Sequence, residues 1–231
     1  MLSKLEKIID CLYTSIRYGR CIKVRKTIIR RCHFRIQKNR NQICLSNIRI
    51  FNSKFILEGT DNNVVIKKSP NIVYALSVKI YGKGNKLIIE DNACIYGLRI
   101  VIRGENCHVV IGKDFTENIN CMITCMGRNN FIRIGDDCML SENIDIWNTD
   151  SHHIINENGN VINKNKPIII GNHVWIGKNC SILKGVIVGD NSIIGMSSVV
   201  TKNVDKNSIY VGNPAKKVKE GINWTRDYLI I

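Results

Sequence analysis

No stretch of this 231-residue chain approaches the roughly 20 consecutive apolar residues that a bilayer-spanning helix needs. The N-terminus, MLSKLEKIIDCLYTSIRYGR, also lacks the uninterrupted apolar stretch and small-residue cleavage site of a secretory signal. The cytoplasm is therefore the expected compartment. Ten cysteines are present, but no CxxC pair. The nearest two, Cys121 and Cys125, have no second pair to complete a zinc tetrad, so reduced, buried, apolar thiols are expected. Histidine is scarce, five in all, yet His152 and His153 stand side by side in WNTDSHHII. Acids are scarce at the start: residues 1–50 hold 13 Lys or Arg against only Glu6 and Asp10, so they supply +11 of the net +15. Such a segment is either a solvated charged face or a dock for an anionic lipid surface, a nucleic acid or an acidic polymer. Peripheral attachment to the inner membrane face follows from the second reading.

What is present is a repeat. From residue 170 the chain reads IGNHVW, IGKNCS, ILKGVI, VGDNSI, IGMSSV, VTKNVD. An aliphatic residue leads each hexad: Ile170, Ile176, Ile182, Val188, Ile194 and Val200. The fifth position is small or β-branched throughout: Val174, Cys180, Val186, Ser192, Ser198 and Val204. A period of six fits neither a helix nor a long alternating strand. It fits short strands joined by turns, each with one aliphatic side chain pointing inward. Three hexads close a triangular coil, and coils stack at about 4.8 Å. The expected fold is an all-β solenoid.

The pattern is looser upstream. Ile134, Leu140 and Ile146 make one coil, Ile89, Ile95 and Val101 another, and Ile66, Ile72 and Val78 an earlier one, with loops or imperfect coils between them. An ordinary β-sandwich remains open for residues 60–125. The polar segment 147–167 interrupts the coil and carries the histidine pair, and a long loop inside a compact repeat is usually functional or disordered. Leu2, Leu5, Ile8, Ile9, Leu12 and Ile16 share one helical face, which predicts a short amphipathic helix capping the solenoid. The expected organisation is a basic N-terminal segment over 1–50, a β-helix domain over 51–218 and a tail over 219–231 that packs back on the coil.

The hexads, the segments VWIGKNCSILKGVIVG and IIGMSSVVTKNV, and the ending VGNPAKKVK resemble the hexapeptide-repeat acyltransferases. The resemblance is to the branch of galactoside and maltose acetyltransferases and surface-polysaccharide O-acetyltransferases. Residues 134–218 carry it strongly, residues 60–133 weakly and residues 1–50 not at all. It implies a left-handed parallel β-helix, a homotrimer with its sites between subunits, acetyl-CoA as donor, and no metal. It also implies transfer of an acetyl group to a hydroxyl, or an amine, of a sugar or surface-polysaccharide precursor.

The same resemblance assigns residues. TDSHHI matches D-x-H-x-I, which makes His152 the general base and Asp150 its acidic neighbour. Trp175 lies by the substrates, and the backbone N–H of Lys178, following Gly177, polarises the thioester carbonyl. Gly195, Met196 and Ser198 match the stretch that holds the pantetheine arm, with Thr201 and Lys202 beside it. Asn213, Pro214 and Ala215 match the ending near the adenine, with Lys216 and Lys217 suited to phosphate. An imidazole base contributes roughly 10²–10⁴-fold to such a reaction. If the loop is extended, alternate side chains share a face, so Asp150, His152 and Ile154 point one way and His153 the other. Two alternatives share the coil. A carbonic-anhydrase-like metalloenzyme needs three converging histidines drawn from His108, His152, His153 and His173, and its H-x4-H pair is missing. The other is a non-catalytic binding coil. No nucleic-acid partner is expected.

Overall fold

The computed structural model describes residues 21–229. The expected N-terminal helix, within residues 1–20, lies outside the described residues. Among the described residues every element is a strand, and the strands wind into one parallel β-helix. Each coil lays strands in turn on three faces. The first face is an eight-stranded sheet running from Ile22–Arg25 to Ile187–Val188. The third face is another, from His33–Ile36 to Val199–Val200. The second face joins a four-stranded and a six-stranded sheet end to end through a bridge between Cys94 and Thr116. Among the described strands all pairings are parallel except the last, Ser208–Val211 with Lys216–Glu220, and an isolated antiparallel bridge joins Ile155 and Val161 in the loop.

The hexad reading holds residue by residue in the C-terminal coils. Ile170, Ile176, Ile182, Val188, Ile194 and Val200 are each at most 1% exposed. The fifth-position residues Val174 to Val204 are buried as well. At a corner the chain wraps around that side chain, so only a small one fits. Truncating an inward Ile to Ala in so close-packed a column costs about 2–5 kcal/mol.

Among the described residues the solenoid is already present at Ile22, well ahead of the boundary expected at residue 50. The strand Ile22–Arg25 pairs in register with Gln42–Ser46, and that strand with Asn63–Ile66. The basic residues of this region are thus the outer surface of the first coils. These early coils are also wider than three hexads. Leu87 pairs with Val64 on one side and Val109 on the other, and Val109 with Ile132. The C-terminal coils keep the hexad spacing, as in Ile169 with Ile187. The extra residues shift the inward register, so Val73 is inward where Ile72 was expected, and Ile100 and Ile102 flank an outward Val101.

The extra length has a visible cause. On the third face the strands Lys54–Thr60, Ser77–Lys83, Arg99–Glu105 and Met122–Arg128 have seven residues each. Each passes through a glycine, and Gly59, Gly82, Gly104 and Gly127 stack upon one another. A Cβ on Gly82, whose φ is 116°, would sit 2.0 Å from the carbonyl oxygen of Gly104. A buried asparagine ladder closes the turn beside them. Asn62 Nδ2 donates to Gly82 O and Asn85 Nδ2 to Gly104 O, both at 2.9 Å. The Asn85 N–H donates to Asn62 Oδ1 at 3.0 Å, which ties one coil to the next.

No disulfide joins two of the described cysteines. Burial pushes Cys121 and Cys138 up to about 12, so they are neutral packing groups. No helix among the described residues is long and apolar enough to cross a membrane.

Candidate functional site

The three edges of the prism differ. The edge between the first and second faces is covered by the C-terminal tail. Trp224 is buried and stacks on His173, with ring centroids 4.1 Å apart. Its indole Nε1 donates to the His173 carbonyl at 2.8 Å. His173 Nδ1 lies 2.6 Å from Asp137 Oδ2 and Nε2 lies 2.9 Å from the Trp224 carbonyl. Arg226 Nε donates to Asp137 Oδ1 and Nη1 to Thr116 Oγ1, both at 2.8 Å. Burial works against the Asp137 carboxylate, but His173 and Arg226 outweigh it and hold its pKa below the ordinary value.

The edge between the third and first faces carries the histidine loop. The chain leaves the third face after Asp145–Trp147 and rejoins the first at Ile168–Ile170. The loop is not extended at its start. Ser151 has a φ of 64° and its N–H donates to Thr149 Oγ1, while the His152 N–H donates back to the Asp150 carbonyl at 2.7 Å. The expected alternation therefore fails, and both His152 and His153 are exposed on the single chain. Asp150 is not bonded to the imidazole. Its Oδ2 meets Lys184 Nζ and accepts from Asn163 Nδ2 at 2.9 Å. Asn163 also donates to the His152 carbonyl at 2.7 Å and accepts the Ile154 N–H. The Lys184 ammonium, more than any other group, holds the Asp150 carboxyl below its ordinary pKa. Thr201 and Lys202 lie on this same edge, one coil beyond Leu183 and Lys184, because Ile182 pairs with Val200.

The edge between the second and third faces gathers the remaining residues. Trp175 is part-exposed at the end of the second face, and Gly177 and Lys178 follow it around the corner. One coil on come Gly195, Met196 and Ser198, and then Asn213, Pro214 and Ala215. Hydrogen bonds join the tiers: Ser197 N–H to Lys178 O at 2.8 Å, Gly212 N–H to Ser198 Oγ at 3.0 Å, and Ala215 N–H to Val199 O at 2.8 Å. Ser198 is buried, and its hydroxyl also donates to Gly195 O. Met196 is 66% exposed. Lys178 Nζ pairs with Glu142 at 2.8 Å. Among the described residues the Lys178 backbone N–H finds no acceptor. Lys217 is taken by Glu220 and Asp205, whereas Lys216 has no acidic partner among the described residues.

The candidate residues thus fall into two groups on separate edges, divided by the third face. One holds Asp150, His152, Thr201 and Lys202; the other holds Trp175, Lys178, Gly195, Met196 and Pro214. Lys184, Asn163 and Glu142 were not singled out from the sequence, where each is an ordinary polar residue in an ordinary turn. Among the described residues no group of three or more His, Cys, Asp or Glu is placed to hold a metal ion.

Comparison with known proteins gives the assembly a family. Residues 167–202 match the family described as bacterial transferase hexapeptide (six repeats). The polysialic acid O-acetyltransferase of Neisseria meningitidis is 36% identical over 187 residues, 71% of this chain and 86% of its own length. The galactoside O-acetyltransferase of Escherichia coli K12 is 37% identical over 119 residues, 51% of this chain and 55% of its own. The crystal structure of the polySia-specific acetyltransferase NeuO superposes with a TM-score of 0.74 at 30% identity, covering 90% of each chain. Matched over most of its own length and most of its relative's, this chain belongs to the hexapeptide-repeat acyltransferases and is an acetyltransferase.

Proposed function

We propose that the chain moves an acetyl group from acetyl-CoA to a hydroxyl of an acidic surface polysaccharide, with His152 as general base, in a site shared between copies of a homotrimer. The observation that carries the acceptor class is the match to polysialic acid O-acetyltransferases, over 71% of this chain in sequence and 90% in fold. A polymer of sialic acid bears a carboxylate on every sugar, and this chain carries a net charge of +15.

The two half-sites support the trimer. They lie on the two edges that bound the third face, and the remaining edge is closed by the tail. Turning the third face toward a common axis sets the His152 edge of one copy against the Lys178 edge of the next. Three copies close the ring, as symmetric oligomers with head-to-tail contacts do. The third face near the loop suits such a contact, since Met122, Met126, Trp147 and Leu183 are all outward there.

In this site the neutral imidazole of His152 takes the proton of the acceptor hydroxyl as its oxygen attacks the thioester carbon. The unpartnered Lys178 N–H donates to the carbonyl oxygen as it becomes an oxyanion. The imidazolium then returns the proton to the departing thiolate. Asp150, fixed by Lys184 and Asn163, positions the turn on which His152 sits. The Gly195–Met196 and Thr201–Lys202 corners flank the pantetheine arm, and Lys216, beside Asn213 and Pro214, faces the nucleotide phosphates. The test is transfer of radiolabelled acetyl from acetyl-CoA to polysialic acid, to neutral oligosaccharides and to amino sugars. Transfer to the acidic polymer is expected, and transfer to neutral sugars alone overturns the acceptor class.

A further inference from the structure

The third face changes character along its length. Nearest the histidine loop its outward residues are mainly apolar, Met122, Met126, Trp147 and Leu183, with Asp145 and Ser181 among them. Two coils before the Trp147 strand, on Arg99–Glu105, it becomes basic and stays so toward the N-terminal end. The registers place the cations in columns. Lys54 and Arg99 share one column on either side of Ser77, and Lys79 and Arg103 stand in the next two. Lys54, Arg99 and Arg103 are exposed and Lys79 is half-buried. Three acids share the face: Glu58 pairs with Arg35 at 3.5 Å and Glu105 with Arg128 at 2.8 Å, while Asp145 stands two coils beyond Arg99, outside the basic strip. Among the described residues Lys54, Lys79, Arg99 and Arg103 have no acidic partner. Arg103 lies 5.2 Å over the Tyr81 ring, which gives the strip a flat aromatic element beside its charge.

We infer that this strip is a binding surface for the polyanionic acceptor, holding the glycan chain while one of its sugars occupies the transfer site. The inference rests on the acceptor class proposed above and adds where the rest of the polymer goes. Coils are about 4.8 Å apart, so the first cations stand about 10 Å below the Trp147 strand, where the histidine loop begins, and Lys54 about 10 Å further. That is the reach of a few sugars. In a trimer the apolar half of this face closes against its neighbours. The basic half cannot close on itself, because the same four cations of each copy would face one another. It stays open as a cleft leading to the transfer site, filled by a ligand of opposite charge.

The test is titration of fluorescently labelled polysialic acid without acetyl-CoA. The proteins are the full-length wild type, the variant Lys54→Gln/Lys79→Gln/Arg99→Gln/Arg103→Gln, and a control with as many cations removed elsewhere, Lys23→Gln/Lys26→Gln/Lys68→Gln/Lys113→Gln. Wild-type affinity is expected to fall steeply with added salt. The strip variant should bind at least tenfold more weakly than the control. Equal affinity of strip variant and control, or no polymer binding by wild type, overturns this inference. A wild type that binds the polymer yet does not acetylate it overturns the transfer reading and leaves the strip standing.

Discussion

Lys184 reaches across to Asp150 and neutralises it, joining the loop that carries His152 to the next coil of the solenoid. Asn163, from the returning arm of the same loop, shares that carboxylate oxygen and also binds the His152 carbonyl. The turn at residues 149–152 is thus braced from two sides before any substrate arrives.

The first prediction follows from that brace. Lys184→Ala should leave the fold intact, because a part-exposed ion pair contributes about 1 kcal/mol at most. The sign is that of a depressed carboxylate: the pair's stabilisation is present above the ordinary Asp pKa and is lost as pH falls through the lowered one. Turnover should fall roughly tenfold, since a misplaced base loses most of its advantage, and Lys184→Arg should restore most of it. The kcat of both variants with CoA affinity measured alongside checks this; unchanged kcat in Lys184→Ala means the brace is dispensable.

The histidine pair gives the second. His152→Ala should lower the rate of acetyl transfer by roughly 10²–10⁴, with coenzyme A binding unchanged. His153→Ala should change it several-fold at most. The reason is no longer strand alternation, which the turn at Ser151 abolishes. It is that the Asp150–Asn163 bracing converges on the backbone of His152. Rates of the two single variants decide the matter, and a dead His153→Ala beside an active His152→Ala moves the base to His153.

Residues 170–205 could be read position by position because a strict hexad leaves the inward side chain no freedom. Upstream, coils were legible only in part between residues 66 and 146 and not at all before residue 51, since each long coil hides its extra residues in a glycine turn. The missed signal was asparagine. Among the described non-glycine residues with positive φ, half are Asn, including Asn47, Asn92, Asn143 and Asn191. Asn tolerates the left-handed region that a sharp corner needs. The buried ladder of Asn41, Asn62 and Asn85 uses the same residue for coil-to-coil hydrogen bonds. In the candidate site, the histidine loop was legible from its motif, but the contact of Lys184 with Asp150 was not, because 34 residues of chain separate the pair.

The tail supplies the third prediction. Trp224→Ala should destabilise the protein by about 3 kcal/mol, the usual cost of removing a buried large aromatic. It also leaves the His173 carbonyl and ring without the tail partners they have now. Thermal unfolding should show a drop of several degrees. Arg226→Ala should give a smaller one, since Arg226 is part-exposed. A Trp224→Ala protein as stable as wild type makes the clasp an ornament of the surface.

The fourth prediction concerns an acid inside the core. Val73, Ile95, Leu140, Ile176 and Ile194 form one inward column of the second face, and Glu117 occupies the level between Ile95 and Leu140. Glu117 is 6% exposed. Its Oε1 accepts the Tyr96 N–H at 2.6 Å, and its Oε2 has no hydrogen-bond partner. Burial raises its pKa to about 7 against an ordinary 4.5, outweighing the hydrogen bonds that favour the charged form. The native state therefore keeps a proton that the unfolded chain has released. Stability from this group is fully present below pH 4.5 and is lost as pH rises through about 7. The loss amounts to about 3 kcal/mol as an upper bound, from roughly 1.4 kcal/mol per unit. Glu117→Leu extends the aliphatic column and removes the titration, and Glu117→Gln removes the titration alone. Both variants should melt at least several degrees above wild type at pH 8, and the advantage should shrink at pH 5. Comparing each variant with wild type at both pH values cancels every other titrating group. If the difference in melting temperature between variant and wild type is the same at pH 5 and pH 8, Glu117 does not carry a proton that matters to the fold.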